Sequence, residues 1–232
     1  MKYQLRDYQK KASDAAVMCF KMKSGRNGLL VLPTGAGKSL IIADIAARLE
    51  EPLIVFQPNK EILEQNFAKL QTYGIWDCSI YSASVGRKEI SRITFATIGS
   101  VIRHMKDFQH FKNILIDECH LVKPSDGMYK RFFEQAERRI VGLTATPYRL
   151  YSCMNGSMLK FLTRTRPRVF SQVLYYCQVS ELLAKGFLSR LKYYDVTRID
   201  LTKVRRNSSG ADFDDASLSD EFRRVDLYGY LI

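Results

Sequence analysis

Short apolar runs alternate with stretches of helical periodicity along the first two thirds of the chain, and that alternation predicts an α/β fold. Over residues 7–23 the positions Ala12, Ala15, Ala16, Met18, Cys19 and Met22 recur at helical spacing, and Gly25 and Gly28 end the helix. Leu29-Leu30-Val31-Leu32 is then a short continuous apolar run, as expected of a strand buried on both faces of a parallel sheet. A helix is predicted over 38–50 and a strand over 53–56. Asn59 is a candidate N-cap for a helix over 59–73, whose apolar stripe is Ile62, Leu63, Phe67 and Leu70. Strands at 78–81 and 93–96, a helix over 98–105 and a buried strand at 113–116 follow. A helix over 128–137 and a strand at 139–143 complete the alternation. The expected architecture is a mostly parallel sheet with helices on both faces. After Pro147 the pattern loosens, leaving a helix at 179–185, a strand at 191–196 and a polar tail.

Two apolar runs end in chemistry. The first leads into Pro33-Thr34-Gly35-Ala36-Gly37-Lys38-Ser39, a Gly-rich turn opening a helix. Glycines allow backbone conformations that a Cβ would block, so the amides of such a turn can face a phosphate, and the helix N-terminus adds partial positive charge. Lys38 would reach the β- and γ-phosphates and the Ser39 hydroxyl would ligate Mg²⁺. Leu32 stands where the general pattern has a glycine. The second run, Ile114-Leu115-Ile116, ends on Asp117-Glu118-Cys119-His120, placing carboxylates at the carboxyl edge of a parallel sheet, where ligands of such folds bind. Asp117 would hold Mg²⁺, partly through water, and Glu118 would accept a proton from an attacking water. His120 is a candidate link to the Thr-rich loop at Thr144.

Composition narrows the partner and the compartment. Lys+Arg 36 against Asp+Glu 24 gives a net charge of +12, which favours a polyanion. The five cysteines, Cys19, Cys78, Cys119, Cys153 and Cys177, form no C-x-x-C pair, which argues against a zinc site and a disulfide framework. With neither an apolar leader nor a membrane-length run, the expected location is the cytoplasm.

In this order the motifs resemble the nucleotide-binding domain of superfamily 2 helicases and translocases, a RecA-like P-loop NTPase fold; the likeness covers residues 5–149. The resemblance implies ATP as the nucleotide, with Leu5-Arg6-Asp7-Tyr8-Gln9 as the adenine segment and Gln9 reading the base edge. Leu32 to Ser39 is then motif I, in which that superfamily usually lacks the first glycine. Asp117-Glu118-Cys119-His120 is motif II, and Gly142-Leu143-Thr144-Ala145-Thr146-Pro147 is motif III, where Thr144 and Thr146 couple hydrolysis to strand movement. Gln57 to Gln65 resembles motif Ia and Thr94 to Ser100 motif Ib, implying that Pro58, Asn59, Lys60, Thr97, Gly99 and Ser100 touch a nucleic-acid backbone. The closing His120 and the form Thr-Ala-Thr-Pro separate it from the RNA helicases named for a closing Asp. Tyr148-Arg149-Leu150, residues 179–188 and Asp212-Phe213 look most like bacterial RadD-type DNA-repair helicases, which favours DNA over RNA. A restriction-type translocase motor, an RNA helicase and a nucleotide-gated DNA-binding module are the competing readings.

The resemblance also implies a missing partner. Such motors close their site with arginines from a second RecA-like domain, and nothing after Thr197 could supply one. Residues 1–160 are therefore expected to be the first RecA-like domain, 161–198 an extension of it, and 199–232 a linker toward the second. The abrupt ending reads as a cut inside a longer protein, and the fragment is expected to hydrolyse ATP poorly.

Overall fold

A computed structural model describes residues 4–22, 26–153, 156–190, 200–208, 210 and 212–224. In chain order the elements are α1 (Asp7–Lys21), β1 (Gly28–Val31), α2 (Lys38–Arg48), β2 (Leu53–Phe56), α3 (Lys60–Thr72), β3 (Cys78–Ser82), β4 (Arg87–Lys88), β5 (Ile93–Ala96) and α4 (Ile98–Val101). They continue with β6 (Asn113–Ile116), α5 (Met128–Phe133), β7 (Arg139–Thr144), β8 (Tyr148–Cys153), β9 (Gly156–Phe161), β10 (Gln172–Tyr176), α6 (Val179–Ala184) and α7 (Asp215–Arg224). The chain divides into two compact units, one of Met1–Pro147 with Leu162–Leu188, the other of Tyr148–Phe161 with Ser189–Ile232.

The first unit is built on an eight-stranded sheet of order β10-β1-β7-β6-β2-β5-β3-β4, parallel throughout except for β4, which runs antiparallel to β3. Alternate residues of each central strand feed different cores, as the two-residue side-chain period of a strand requires. Leu53, Val55, Leu115, Val141 and Leu143 join Ala12, Phe20, Ile42, Ile45 and Leu63 of α1, α2 and α3. Ile54, Phe56, Ile114, Ile116 and Ile140 join Val101, Phe108 and Phe132 on the opposite face. Burial on both faces is why these strands read as continuous apolar runs rather than alternating ones.

The helices differ from expectation mainly at their ends. Asn59 caps α3, accepting a hydrogen bond from the Ile62 amide at 2.9 Å. The helix expected over 98–105 stops at Val101, and a separate 3-10 turn covers Met105–Phe108. The helix expected over 128–137 stops at Phe133. The strand expected at 191–196 lies outside the described residues.

Three strands beyond Pro147 escaped the pattern. β10 is an edge strand, half exposed, so it lacks the apolar run that identifies its neighbours. Its address is set by tertiary bonds from Asn27: the Nδ2 donates to the Val169 carbonyl at 3.0 Å, the Oδ1 accepts from the Ile140 amide at 2.9 Å, and the Asn27 carbonyl accepts from the Ser171 amide at 3.0 Å. In the second unit β8 and β9 form an antiparallel hairpin paired from Tyr148↔Phe161 to Cys153↔Gly156. There the segment read as a linker contains α7, whose Glu221 accepts from the Arg224 guanidinium at 2.7 and 2.8 Å.

Candidate nucleotide-binding site

The site forms along the carboxyl edge of the sheet, and the strand order decides who meets whom. β7 lies between β1 and β6, so the strand carrying Thr144 separates the Gly-rich loop from the acidic run. Val31 pairs with Thr144 and Ile116 with Gly142, and the Leu32 amide donates to the Thr144 carbonyl at 2.9 Å. Three segments far apart in sequence thus leave the same edge of the sheet, β6 two residues before β1 and β7.

Gly35 and Gly37 adopt φ of +81° and +79°, a region strained for any side chain with a Cβ. At Gly37 a Cβ would also lie 2.4 Å from Gln9 Nε2, so the glycine gives both the turn and the room for Gln9. Gly37 is the N-cap of α2, and Lys38 and Ser39 open its first turn. The loop is pinned from α1: Tyr8 Oη and Gln9 Nε2 each donate to the Ala36 carbonyl at 2.9 Å. Gln9 Oε1 accepts from the Arg6 amide at 2.9 Å. One N–H and one lone pair of the Gln9 amide remain for a further partner. Beside it a cavity of about 410 Å³ is lined by Gln4, Leu5, Arg6, Asp7, Tyr8, Lys185 and Phe187, with the Arg6 guanidinium 4.1 Å from the Phe187 ring centre. Pro33 and Ala36 are buried, whereas Thr34 and Gly35 are exposed.

Lys38 Nζ is ion-paired with Glu118 Oε1. Glu118 Oε2 lies 3.3 Å from His120 Nδ1, and that nitrogen is 2.9 Å from Thr144 Oγ1. Thr144 Oγ1 accepts in turn from the Thr146 amide at 3.0 Å. A continuous polar path therefore runs from Lys38 through Glu118 and His120 to Thr144 and Thr146. Glu118 takes a left-handed conformation, φ 47° and ψ 48°, which for a non-glycine residue stores about 1–2 kcal/mol of strain. That turn aims the carboxylate back at Lys38. It is held by close packing, since Cys119 Sγ and Phe170 fill the space that a Cβ on Gly142 would occupy.

Asp117 is buried beside this path. Its Oδ1 accepts from the Glu118 amide at 3.0 Å and its Oδ2 from Asn66 Nδ2 at 3.2 Å. Burial pushes its carboxyl up to about 6; the neighbouring Glu118 adds to the rise, and Lys38 opposes it. No three-residue cluster of His, Cys, Asp or Glu able to hold a metal occurs among the described residues. Mg²⁺ does not need one, because it is usually held by one or two carboxylates together with phosphate and water. The hard oxygen donors of Ser39 and Asp117 suit it.

The residues expected at nucleic acid lie further along the same edge. Pro58 and Asn59 follow β2, Lys60 opens α3, and Thr97, Gly99 and Ser100 follow β5. Pro58, Thr97 and Gly99 share one pocket. Ser100 Oγ accepts from the Ala83 amide at 2.8 Å and Thr97 Oγ1 lies 2.9 Å from it, so these hydroxyls brace the turn. The sequence reading missed Asn66, Lys185 and Phe187. Asn66 sits mid-helix with nothing local to mark it, and the other two reach the adenine segment only through the chain's return after β10.

The fold and the clustered loops define a P-loop NTPase domain of the RecA-like class. Residues 2–149 match the family described as type III restriction enzyme, res subunit, and the chain belongs to that family. It carries a superfamily 2 helicase domain. The chain is similar to the DNA 3'-5' translocase XPB2 of Sulfurisphaera tokodaii, 29% identical over 151 residues that cover 64% of this chain and 32% of that one. The DNA 3'-5' helicase XPB of Mycobacterium tuberculosis is 29% identical over 154 residues, covering 62% of this chain and 27% of its own. The chain thus spans less than a third of the length of these curated relatives. Among solved structures, the UvsW helicase from bacteriophage T4 shares the fold with a TM-score of 0.55 at 19% identity, over 75% of this chain and 60% of that one. No described helix is long and apolar enough to cross a membrane.

Proposed function

We propose that the chain is the ATP-binding half of a DNA-dependent ATPase motor, of the RadD-type repair branch. The observation that carries the reading is the connected set Lys38–Glu118–His120–Thr144, which ties a phosphate loop to a general base and to the motif that couples hydrolysis to strand movement.

Lys38 is ion-paired with Glu118. A triphosphate is the stronger counter-charge, so on binding Lys38 turns to the phosphates and Glu118 becomes available to a water. Ser39 and Asp117 would hold Mg²⁺, which when bound would neutralise charge on the phosphates. Gln9, with Arg6 and Tyr8 beside the cavity that Phe187 closes, is suited to hold adenine. His120, in reach of both Glu118 and Thr144, relays the state of the base to Thr146. Pro33, Thr34, Gly35, Ala36 and Gly37 supply the cradle.

A second RecA-like domain, beyond the described residues, completes the site with arginines, each worth about 10³- to 10⁵-fold in related phosphoryl transfers. A polyanionic partner is favoured by the net charge of +12, and DNA in particular by the DNA-directed names of the two XPB relatives. The family description favours a second reading, a restriction-type translocase that moves along duplex without separating strands.

The test is ATP turnover by the protein joined to its second domain, with single-stranded, duplex and forked DNA and with RNA. Stimulation by DNA, abolished in Lys38→Ala, supports the reading. Turnover indifferent to every polynucleotide sinks it, and stimulation confined to duplex without unwinding selects the translocase.

A further inference from the structure

A pocket of about 500 Å³ lies where the turns after β2 and β5 meet the segment that follows Asp117. Its size is that of a small-ligand site. Pro58 and Thr97 come from the turns, while Leu121 and Met128 supply apolar wall and are 55% and 40% exposed. Two opposite charges, Lys123 and Asp126, line the same space.

Gln57 also lines the pocket. It is buried, and its Oε1 accepts from Asn66 Nδ2 at 3.1 Å. Its Nε2 is buried with no hydrogen-bond partner among the described residues. Such a donor is available to an acceptor brought to the pocket.

We propose that this pocket receives one unstacked base of the bound strand. The inference rests on the nucleic-acid reading above and deepens it: the strand would be held by its backbone at the two turns and by one base between them. The charges decide base over phosphate, because Asp126 offsets Lys123 and the walls are apolar, which suits a neutral, flat, hydrogen-bonding group. A base edge carries both acceptors and donors, to which the donors Gln57 and Lys123 and the acceptor Asp126 are matched. The same Asn66 that holds Gln57 also donates to Asp117 at 3.2 Å, so the pocket wall is bonded to the carboxylate assigned to Mg²⁺.

The experiment measures, by fluorescence anisotropy at fixed salt, the affinity of the 232-residue chain for oligothymidylate and for an equally long abasic strand. The expected preference for the strand with bases is about tenfold, the scale of one well-held base. In the Leu121→Ala/Met128→Ala variant, both changes being at exposed positions, that preference narrows to near unity. Equal affinity of the wild-type chain for both strands overturns the pocket while leaving backbone binding intact. A variant that keeps the full preference overturns it too, since the base is then read elsewhere. If neither strand binds, the nucleic-acid reading falls and takes the pocket with it.

Discussion

Replacing Gly142 by alanine tests the packing that fixes the strained turn at Glu118. Gly142 lies in β7, and a Cβ built there would stand 2.5 Å from Cys119 Sγ, 2.8 Å from Cys119 Cβ and 2.8 Å from Phe170 Cε1. Ordinary contacts between carbon atoms lie at about 3.5–4.0 Å, so the methyl intrudes on both sides at once. Phe170 is buried, and the Cys119 Cβ retreats only if its backbone moves. Overpacking of a well-packed core costs about 1–3 kcal/mol, and this site belongs near the top of that range because backbone must give. The backbone in question holds Glu118 and His120. Urea unfolding should therefore register a loss of about 2–3 kcal/mol. ATP turnover should fall by about 10²-fold, as for an ångström-scale misplacement of catalytic groups. Cys119→Ala removes the closest of the clashing atoms, so the double variant should recover part of both losses, with a coupling of about 1 kcal/mol or more. A Gly142→Ala protein within about 0.5 kcal/mol of wild type, or strictly additive single changes, would refute the reasoning.

Three further outcomes are expected. Glu118→Gln should lower turnover about 10²- to 10⁴-fold while nucleotide affinity, read with a fluorescent ATP analogue, persists or rises because Lys38 loses its counter-charge; turnover at the wild-type rate would remove Glu118 from the role of base. Gly37→Ala should weaken nucleotide binding by tenfold or more, combining about 1–2 kcal/mol of left-handed strain with displacement of Gln9 from the Ala36 carbonyl; unchanged binding would detach Gln9 and the loop from the nucleotide. Asp117 gives a pH signature in the absence of nucleotide and Mg²⁺. Its folded pKa, about 6, lies above the ordinary 3.8, so its favourable contribution is complete below pH 3.8 and is lost as pH rises through 6. The loss is on the order of 3 kcal/mol, and Asp117→Asn should flatten the unfolding free energy across that window; a wild-type profile as flat as the variant's would contradict the desolvation assigned to Asp117.

Part of this molecule was legible from local pattern. The central strands read clearly because burial on both faces demands uninterrupted apolar residues, and 53–56, 93–96 and 113–116 are observed where they were expected. The Gly-rich turn read clearly because its backbone takes positive φ at Gly35 and Gly37, which favours glycine. The helix after Thr97 and the one at Met128 end earlier than expected, at Val101 and Phe133. β10 was invisible for the opposite reason. A half-exposed edge strand carries little hydrophobic signal, and its position depends on hydrogen bonds from Asn27, more than a hundred residues earlier.

The sequence by itself determined the class of fold, the Gly-rich loop and the acidic strand end, because each is written in contiguous residues whose local physics admits few alternatives. Only the tertiary structure decided that β7 separates β1 from β6, that Glu118 turns back on Lys38 through a left-handed backbone, and that Gln57 and Asn66 join a surface pocket to Asp117. These are relations between distant segments. They are set by how strands are ordered and how closely loops pack, and no window of local sequence contains them.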